Sequence, residues 1–315
     1  MTVFELSAAY IADLIIGDPH GYPHPVKLIG KAVQALERKL LNTNDPPLKQ
    51  YLSGGILALL VVTGAGLSVW GIVHAFQWVH PWLSSLATVS FAYTTLATRN
   101  LYDEVRKVTN LLEERDLTGA RQRVGLLVSR DTDHLDEQGI GRALIETVSE
   151  NTSDGIIAPL FYLAIGGPSL AMAYKALNTL DSMVGYKNER HRFFGWASAR
   201  ADDLANLIPA RLTAFFYVLS AFFLRKNWRG AWKIAWRDGR KNTSPNSGYP
   251  EAAVAGALGI QLGGENLYFG KAVEKPLIGE DEKPIRLNEV RESLRLMMGA
   301  SFIAAIVTVL VTIFI

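Results

Sequence analysis

Two acidic side chains, Glu150 and Asp154, lie four residues apart in the sequence ENTSDG, directly before a long apolar stretch. On a helix this spacing places both carboxylates on one face, and oxygen ligands of this kind suit Mg²⁺. We therefore predict a metal or substrate site at this turn, which also contains Asn151. Glu146 lies one helical turn earlier, but an ordinary ion pair with Arg142, four residues before it, is the competing interpretation.

A second polar face follows in the sequence YKALNTLDS. At 3.6 residues per turn, Lys175, Asn178 and Ser182 fall within about 60° of one another, and Asp181 is adjacent. A single lysine beside an apolar stretch often only extends its amine toward water. A face of lysine, amide, carboxylate and hydroxyl groups followed by a basic loop instead indicates a site for a phosphate or carboxylate. The basic residues of that loop are Lys187, Arg190 and Arg192.

The segment ARADDLANLIPAR carries a third polar group. Asp202 and Asn206 share a helical face, and Asp203 lies three residues before Asn206. Two adjacent carboxylates with an amide, beside an apolar run, predict a second group that faces a metal ion. The alternative is local, because Arg200 could pair with Asp203.

The loop GDPHGYPHP contains two histidines, but its internal proline and glycine exclude a regular helix between them. The spacing therefore does not match the helical histidine pair of zinc proteases. A rigid turn that closes the first helix explains this loop. The alternative is a substrate-facing loop in which Asp18 or His24 is a polar contact.

The chain has 315 residues, of which 49% are hydrophobic and 20% are charged, and it has no cysteine. Its mean hydropathy of +0.13 lies between that of a bundle wholly in lipid and that of a typical soluble domain. Membrane spans combined with sizeable aqueous segments are therefore predicted. The lack of cysteine excludes disulfides, cysteine-ligated zinc and a cysteine nucleophile. A net charge of +2 favours no nucleic-acid partner, and there is no Walker P-loop.

Six apolar segments predict an all-α, polytopic integral membrane protein that forms a single membrane-embedded domain over residues 1–315. Residues 51–73 hold no charge, and at about 1.5 Å per residue they can cross a hydrocarbon core of about 30 Å. The other predicted spans are a marginal one at 3–16 and those at 83–98, 156–176, 204–224 and 297–315.

The segment 156–176 is interrupted by Gly166-Gly167-Pro168, which predicts a broken or re-entrant segment. The positive-inside rule places the basic segments 17–50 and 99–155 in the cytoplasm. A full crossing at 156–176 would place the polar segment 178–203 outside. A re-entrant segment instead keeps every polar cluster at the cytoplasmic face of the inner (plasma) membrane.

Amphipathic cytoplasmic helices are predicted for 99–155 and 226–296. In the second segment Trp228, Trp232 and Trp236 form one stripe, with basic residues largely off it. Such a helix suits the headgroup layer of an anionic leaflet. Packing of the same stripe into protein is the alternative.

Taken together, the motifs resemble the CobD/CbiB family of cobalamin biosynthesis over nearly the whole chain. The resemblance implies a multi-pass membrane protein with adenosylcobinamide-phosphate synthase activity. That activity joins the free propionate of adenosylcobyric acid to the amine of aminopropanol or its O-phosphate, with ATP as cosubstrate and Mg²⁺. The segments that carry the resemblance are GDPHGYPHPVKLIG, LVSRDTDHLDE, ETVSENTSDGIIAPLFY, YKALNTLDSMVGYKNER, FGWASARADDLANLIPARLT and SPNSGYPEAAVAGALG.

Joining a carboxylate to an amine requires an activated carboxylate, such as an acyl phosphate. It therefore calls for Mg²⁺ ligands, cationic phosphate clamps and a base. The expected catalytic residues are Glu150, Asp154, Asp181, Lys175 and Lys187. The expected metal ligands are Glu150, Asp154, Asp202 and Asp203. The expected substrate-binding residues are Asn151, Asn178, Ser182, Arg190, Arg200, Asn206, Arg211 and His24.

The expected partners are the corrinoid substrate, aminopropanol phosphate, the lipid bilayer and other membrane enzymes of late cobalamin assembly. Two other functions stay open. A transporter of a small anionic molecule would also use broken helices to build its site, although no inverted repeat is visible. A non-catalytic membrane sensor, as in the related AmpE-like branch, is the other.

Overall fold

The fold, a computed structural model, is mostly helical over the residues that it describes, which are 1–18, 24–186, 188–268 and 270–314. The helices are α1 (Val3–Ile16), α2 (Pro25–Leu40), α3 (Pro47–Val79), α4 (Pro81–Tyr93), α5 (Thr98–Glu113), α6 (Leu117–Val124), α7 (Glu137–Thr152), α8 (Ala158–Val184), α9 (Trp196–Ala205), α10 (Leu207–Phe223), α11 (Trp228–Asp238), α12 (Gly248–Leu258) and α13 (Leu287–Phe314). A π-helical turn, Ser153–Ile157, joins α7 to α8. The strands are β1 (Gln261–Tyr268) and β2 (Lys271–Gly279).

The chain divides into two compact units, each built from segments that are distant in sequence. The first unit comprises Met1–Ala97, Ala158–Asn206 and Val307–Ile315. The second comprises Thr98–Ile157 and Leu207–Ile306. Residues that are far apart along the chain are therefore brought together within each unit.

Three helical runs among the described residues are long and apolar enough to cross a membrane, namely α3, the run Glu137–Val184 and α13. Helices α9 and α10 meet the same criteria only as a pair, bent by 44°. These spans indicate a membrane-associated protein. Helices α1 and α4 have 14 and 13 residues, or about 20 Å, which is too short for a full crossing of about 30 Å.

The span predicted over residues 83–98 corresponds to α4, which ends at Tyr93 and is therefore shorter than predicted. It stops at Tyr93 because two threonine hydroxyls bond back to the last helical carbonyls. Thr94 Oγ1 donates to the Phe91 carbonyl at 2.9 Å, and Thr95 Oγ1 donates to the Ala92 carbonyl at 2.7 Å.

Helix α8 reverses direction at Gly166 and Gly167, where the backbone leaves helical geometry. Gly167 has φ +63° and ψ −161°, a conformation that favours glycine. Tyr162 and Tyr174 stack with ring centroids 4.8 Å apart. Twelve residues of straight helix would separate their Cα atoms by about 18 Å, beyond the reach of the two rings. The predicted break is confirmed, in the form of two half-helices that fold back on each other.

The core of the first unit forms where α3 packs against the second half of α8. Close approach of the backbone at Gly54 is part of this packing, because a Cβ there would lie 1.8 Å from the Phe194 carbonyl oxygen. Buried side chains from four segments meet in the core, including Val33, Leu57, Leu180, Val184 and Phe194.

Substitution of Gly54 by alanine should destabilise the first unit, because a backbone carbonyl cannot rotate away from the new methyl group. We expect a loss of about 1–3 kcal/mol, measured as a lower melting temperature in detergent. Gly55→Ala is the matched control, since nothing lies within 4 Å of its Cβ and alanine favours a helix. Equal melting temperatures for the two variants would contradict the close contact.

The second unit is built around α12, every residue of which is buried. Its small side chains let α11 approach closely. A Cβ on Gly230 would lie 2.6 Å from the Gly256 carbonyl oxygen, and one on Gly256 would lie 2.4 Å from the Gly230 carbonyl oxygen. Buried on all sides, α12 can carry a polar residue only if that residue has a partner.

The antiparallel hairpin of β1 and β2 corrects the prediction that 226–296 is helical throughout. Tyr268 pairs with Lys271, Gln261 pairs with Gly279, and a bulge lies between Leu262 and Gly264. Gly263 and Gly264 have φ +87° and +84°, which interrupts a helix. The otherwise all-α prediction therefore missed one β-hairpin.

Candidate functional site

Two polar clusters stand out, one in each unit. The aspartate cluster, in the first unit, consists of Lys175, Asn178, Asp181, Asp202 and Asn206. The glutamate cluster, in the second unit, consists of Arg130, Glu146, Glu150, Glu251 and Lys275.

Two segments build the aspartate cluster. The second half of α8 supplies the half-buried Lys175, Asn178 and Asp181, while α9 supplies Asp202 and ends at Asn206. The buried Asn206 amide is held from both sides. Its Oδ1 accepts a hydrogen bond from the Tyr174 hydroxyl at 2.9 Å, and its Nδ2 donates to Asp202 Oδ2 at 3.0 Å.

The Asp202 carboxylate is therefore fixed through one oxygen. Its other oxygen, Oδ1, is buried and makes no hydrogen bond of ordinary geometry to a described residue, although the Asn178 side chain lies within reach of the carboxylate and the charge of Asp181 acts on it. A buried acceptor left open in this way requires an explanation, such as a bound ion. Asp202 is the position in this cluster most suited to receive a ligand.

The aspartate cluster fits Mg²⁺ held by few protein ligands. No group of three or more His, Asp or Glu side chains in the described part of the chain could hold a metal ion. Asp202 and Asp181 supply two carboxylates, and Mg²⁺ is commonly bound through one or two carboxylates together with water and substrate phosphates.

His24 lies near the aspartate cluster. Its Nδ1 accepts a hydrogen bond from Val26 N–H at 3.3 Å, so the ring caps α2. Burial lowers the His24 pKa, the positive charges of Lys175 and Lys27 lower it further, and Asp18 opposes them. A neutral His24 beside Lys175 can contact a substrate as donor or acceptor.

Three predicted substrate-binding residues in the first unit contact neighbouring residues of the chain. Arg190 pairs with Glu37 at 2.8 Å, and Ser182 Oγ donates to the Asn178 carbonyl at 2.8 Å. Arg200 pairs with Asp203 at 3.1 Å, as the local interpretation held. The predicted catalytic Lys187 lies outside the described residues.

Four predicted residues lie in the second unit. The exposed Asn151 amide donates to the Thr147 carbonyl of its own helix at 3.0 Å. Asp154 is half-buried in the π-helical turn, a feature often found at functional sites. Arg211 lies over the Tyr249 ring, 4.2 Å from its centroid. The fourth, Glu150, belongs to the glutamate cluster.

A buried ion pair anchors the glutamate cluster. The Arg130 guanidinium pairs with Glu146 Oε2 and also donates to Asn266 Oδ1. Glu146 Oε1 accepts from Gly263 N–H at 3.0 Å. The pairing of Arg142 with Glu146 considered above was wrong, because Arg142 Nη1 donates to the Gly263 carbonyl at 3.1 Å. These bonds hold β1 against α7.

The remaining members add two carboxylates and an amine. Glu251, on α12, is 4% exposed and accepts a hydrogen bond from Asn242 Nδ2 at 3.1 Å. Glu150 is exposed and acts electrostatically on Glu251. Burial alone would lower the Lys275 pKa, but Glu146 and Glu251 outweigh it and raise that pKa. Lys275 therefore stays charged.

The pKa of Glu251 lies well above its ordinary value of 4.5, because burial and the neighbouring Glu146 and Glu150 disfavour a charge, while Lys275 opposes them. A raised folded-state pKa contributes stability below the ordinary pKa, and that stability is lost as pH rises toward the folded-state pKa. The stability of the Glu251→Gln variant relative to the unsubstituted chain should therefore increase as pH rises above about 5. Melting temperatures across pH test this, and a constant difference between the two proteins would refute it.

Sequence reasoning missed most of the glutamate cluster. Arg130 and Glu251 lie within segments that carry the family resemblance, LVSRDTDHLDE and SPNSGYPEAAVAGALG, but no role was predicted for either. Lys275 was placed in a helical region. A usable signal existed for Glu251, which is the one charged residue in the run EAAVAGALGI.

Comparison with known proteins gives the family. The family described as CobD/Cbib protein matches residues 6–297. "Cobalamin biosynthesis protein CobD" of Geobacter metallireducens is 50% identical over 97% of this chain and 96% of that protein. The protein of the same name from Listeria monocytogenes strain F2365 is 47% identical, over 98% and 97%. "Cobalamin biosynthesis protein CbiB" of Salmonella arizonae is 46% identical, over 96% and 95%. No solved structure matches. The chain therefore belongs to the CobD/CbiB family.

Proposed function

We propose that this chain is an adenosylcobinamide-phosphate synthase. It would join the free propionate of adenosylcobyric acid to the amine of aminopropanol or its O-phosphate, in a reaction that consumes ATP and needs Mg²⁺. The names of the relatives place them in cobalamin biosynthesis, and the aspartate cluster supplies suitable groups. The observation that carries the proposal is the buried Oδ1 of Asp202, which no described residue bonds with ordinary geometry.

In this mechanism a propionate oxygen attacks the γ-phosphorus of ATP and ADP leaves. The amine nitrogen then attacks the acyl carbon, and phosphate leaves with that oxygen. Bound Mg²⁺ would neutralise charge on the transferring phosphoryl group. Asp202 and Asp181 would hold the ion, and Lys175 would bind the propionate or a phosphate oxygen.

The amine must lose protons during the reaction. We assign this step to a carboxylate base. Asn178 and Asn206 would orient substrate and carboxylate. The site would face the cytoplasm at the inner membrane.

The proposal is tested with the purified full chain in lipid nanodiscs. Adenosylcobyric acid, aminopropanol O-phosphate, ATP and Mg²⁺ should give a corrinoid heavier by one amine less one water. Omission of ATP should abolish that product. An assay in sealed vesicles separates the alternatives, because the fold-back of α8 is also a feature of transporters. Accumulation of unchanged corrinoid inside the vesicles, without product, would contradict the synthase proposal and support a transporter.

A further inference from the structure

A cavity of about 770 Å³ in the second unit belongs to neither polar cluster. It is lined by α5, by the first half of α13 and by Leu224, which follows α10. Its walls are of two kinds. The polar wall includes Tyr102, Arg106, Asn110, Glu113, Arg291 and Arg295. The apolar wall includes Leu224, Leu294 and Met298.

The polar wall carries an excess of positive charge, with three guanidinium groups against one carboxylate. Arg291 pairs with Glu113. Arg295 pairs with Glu292 at 2.8 Å, but Lys226 contacts the same carboxylate at 2.8 Å. Arg106 makes no ion pair with any described residue, and its guanidinium lies 5.9 Å from the centroid of the Tyr102 ring. The cavity therefore suits an anion.

The sequence of α13 indicates where the cavity lies relative to the hydrocarbon layer of a membrane. No charged residue follows Arg295 in this helix, and Leu296–Phe314 comprises 19 residues. At about 1.5 Å per residue this stretch is about 28 Å long, close to the hydrocarbon thickness of about 30 Å. Arg295 thus marks the boundary between hydrocarbon and headgroups.

The end of α10 independently places the boundary between hydrocarbon and headgroups at the same cavity. The apolar run that ends α10 stops at Leu224, and Arg225 and Lys226 follow. Leu224 lies beside α13, since its Cδ1 would be 3.8 Å from a Cβ on Gly299. Two unrelated segments therefore change from apolar to basic at the rim of one cavity.

We propose that this cavity is a binding site for an anionic phospholipid. Guanidinium groups of Arg106 and Arg295 would contact the phosphate oxygens, as arginine commonly does with phosphate. The acyl chains would leave over Leu224, Leu294 and Met298 toward the hydrocarbon. The site lies outside the proposed catalytic groups and does not depend on the proposed function.

The test measures lipid binding to the purified full chain by native mass spectrometry. Phosphatidylglycerol should bind more tightly than phosphatidylcholine. Arg106→Gln and Arg295→Gln should each weaken phosphatidylglycerol binding about fivefold, and the double variant roughly 25-fold. Arg38→Gln, which removes an exposed guanidinium from α2, is the matched control and should leave binding unchanged.

Two further arms decide other outcomes. Soluble glycerol phosphate should not displace phosphatidylglycerol, whereas efficient displacement would mean a site for free phosphate esters and overturn the lipid proposal. Phosphatidylglycerol should also raise the melting temperature of the unsubstituted chain more than that of the double variant. Equal binding of the two lipids, or equal loss in the Arg38→Gln control, would refute the site.

Discussion

Asp202→Asn should lower the rate of amide formation by at least about 100-fold, the scale on which loss of a catalytic proton-transfer or metal-binding group is felt. Asparagine has nearly the same shape, and its Oδ1 can still accept the hydrogen bond from Asn206. The substitution therefore removes the charge and half of the ligand capacity while it keeps the packing. The measurement is the initial rate of corrinoid product formation in nanodiscs with saturating ATP and Mg²⁺.

Asp203→Asn is the matched control because it makes the same change at the next residue. Asp203 is paired with Arg200 at 3.1 Å, and 59% of the arginine side chain is exposed, so loss of this pair should cost less than about 1 kcal/mol. We expect its activity to stay within a few-fold of the unsubstituted protein. Equal losses of activity in both variants, with unchanged melting temperatures, would contradict a specific role of Asp202 in the reaction.

Arg130→Met should destabilise the second unit by about 3–5 kcal/mol, the cost of leaving one partner of a buried ion pair uncompensated. The Arg130 and Glu146 side chains are only 6% and 4% exposed. Water therefore cannot replace the lost partner, and Asn266 loses a donor as well. Thermal unfolding in detergent measures the change.

Two further variants give this prediction its controls. Arg99→Met breaks a pair of similar geometry, Arg99 with Asp103 at 2.7 Å, in which both side chains are at least 40% exposed. Its effect should stay below about 1 kcal/mol. The double variant Arg130→Met, Glu146→Leu should recover part of the loss, but not all, because Gly263 N–H then lacks its acceptor. A double variant less stable than Arg130→Met would contradict this account of the cluster.

Features with a strong local cause were predictable from sequence. Two glycines followed by a proline disfavour a continuous helix through their own backbone properties, so the interruption of 156–176 could be predicted from the sequence. The uncharged run at 51–73 likewise gave α3. The hairpin was missed because its glycines and bulge matter only once two strands pair, and a two-stranded pair makes a weak periodic signal.

The polar residues divide in the same way. Lys175, Asn178 and Asp181 could be grouped because one helix fixes their spacing, and Asp202 with Asn206 likewise. Contacts between residues that are far apart in the sequence could not be predicted from the sequence alone. Arg190 pairs with Glu37, 153 residues away. The charges of Glu146 and Glu251 act on Lys275 only because the hairpin packs against α7 and α12. Burial decided these pairings, and a single sequence does not show which distant segments bury one another.

The fate of the propionate oxygen tests the proposed chemistry most directly. Formation of the amide removes one oxygen from the carboxylate, and adenosylcobyric acid labelled with ¹⁸O in that carboxylate shows where it goes. Activation as an acyl phosphate predicts one labelled oxygen in inorganic phosphate for each amide formed. Amide product accompanied by unlabelled phosphate, with the label found in water or in AMP, would contradict the proposed reaction.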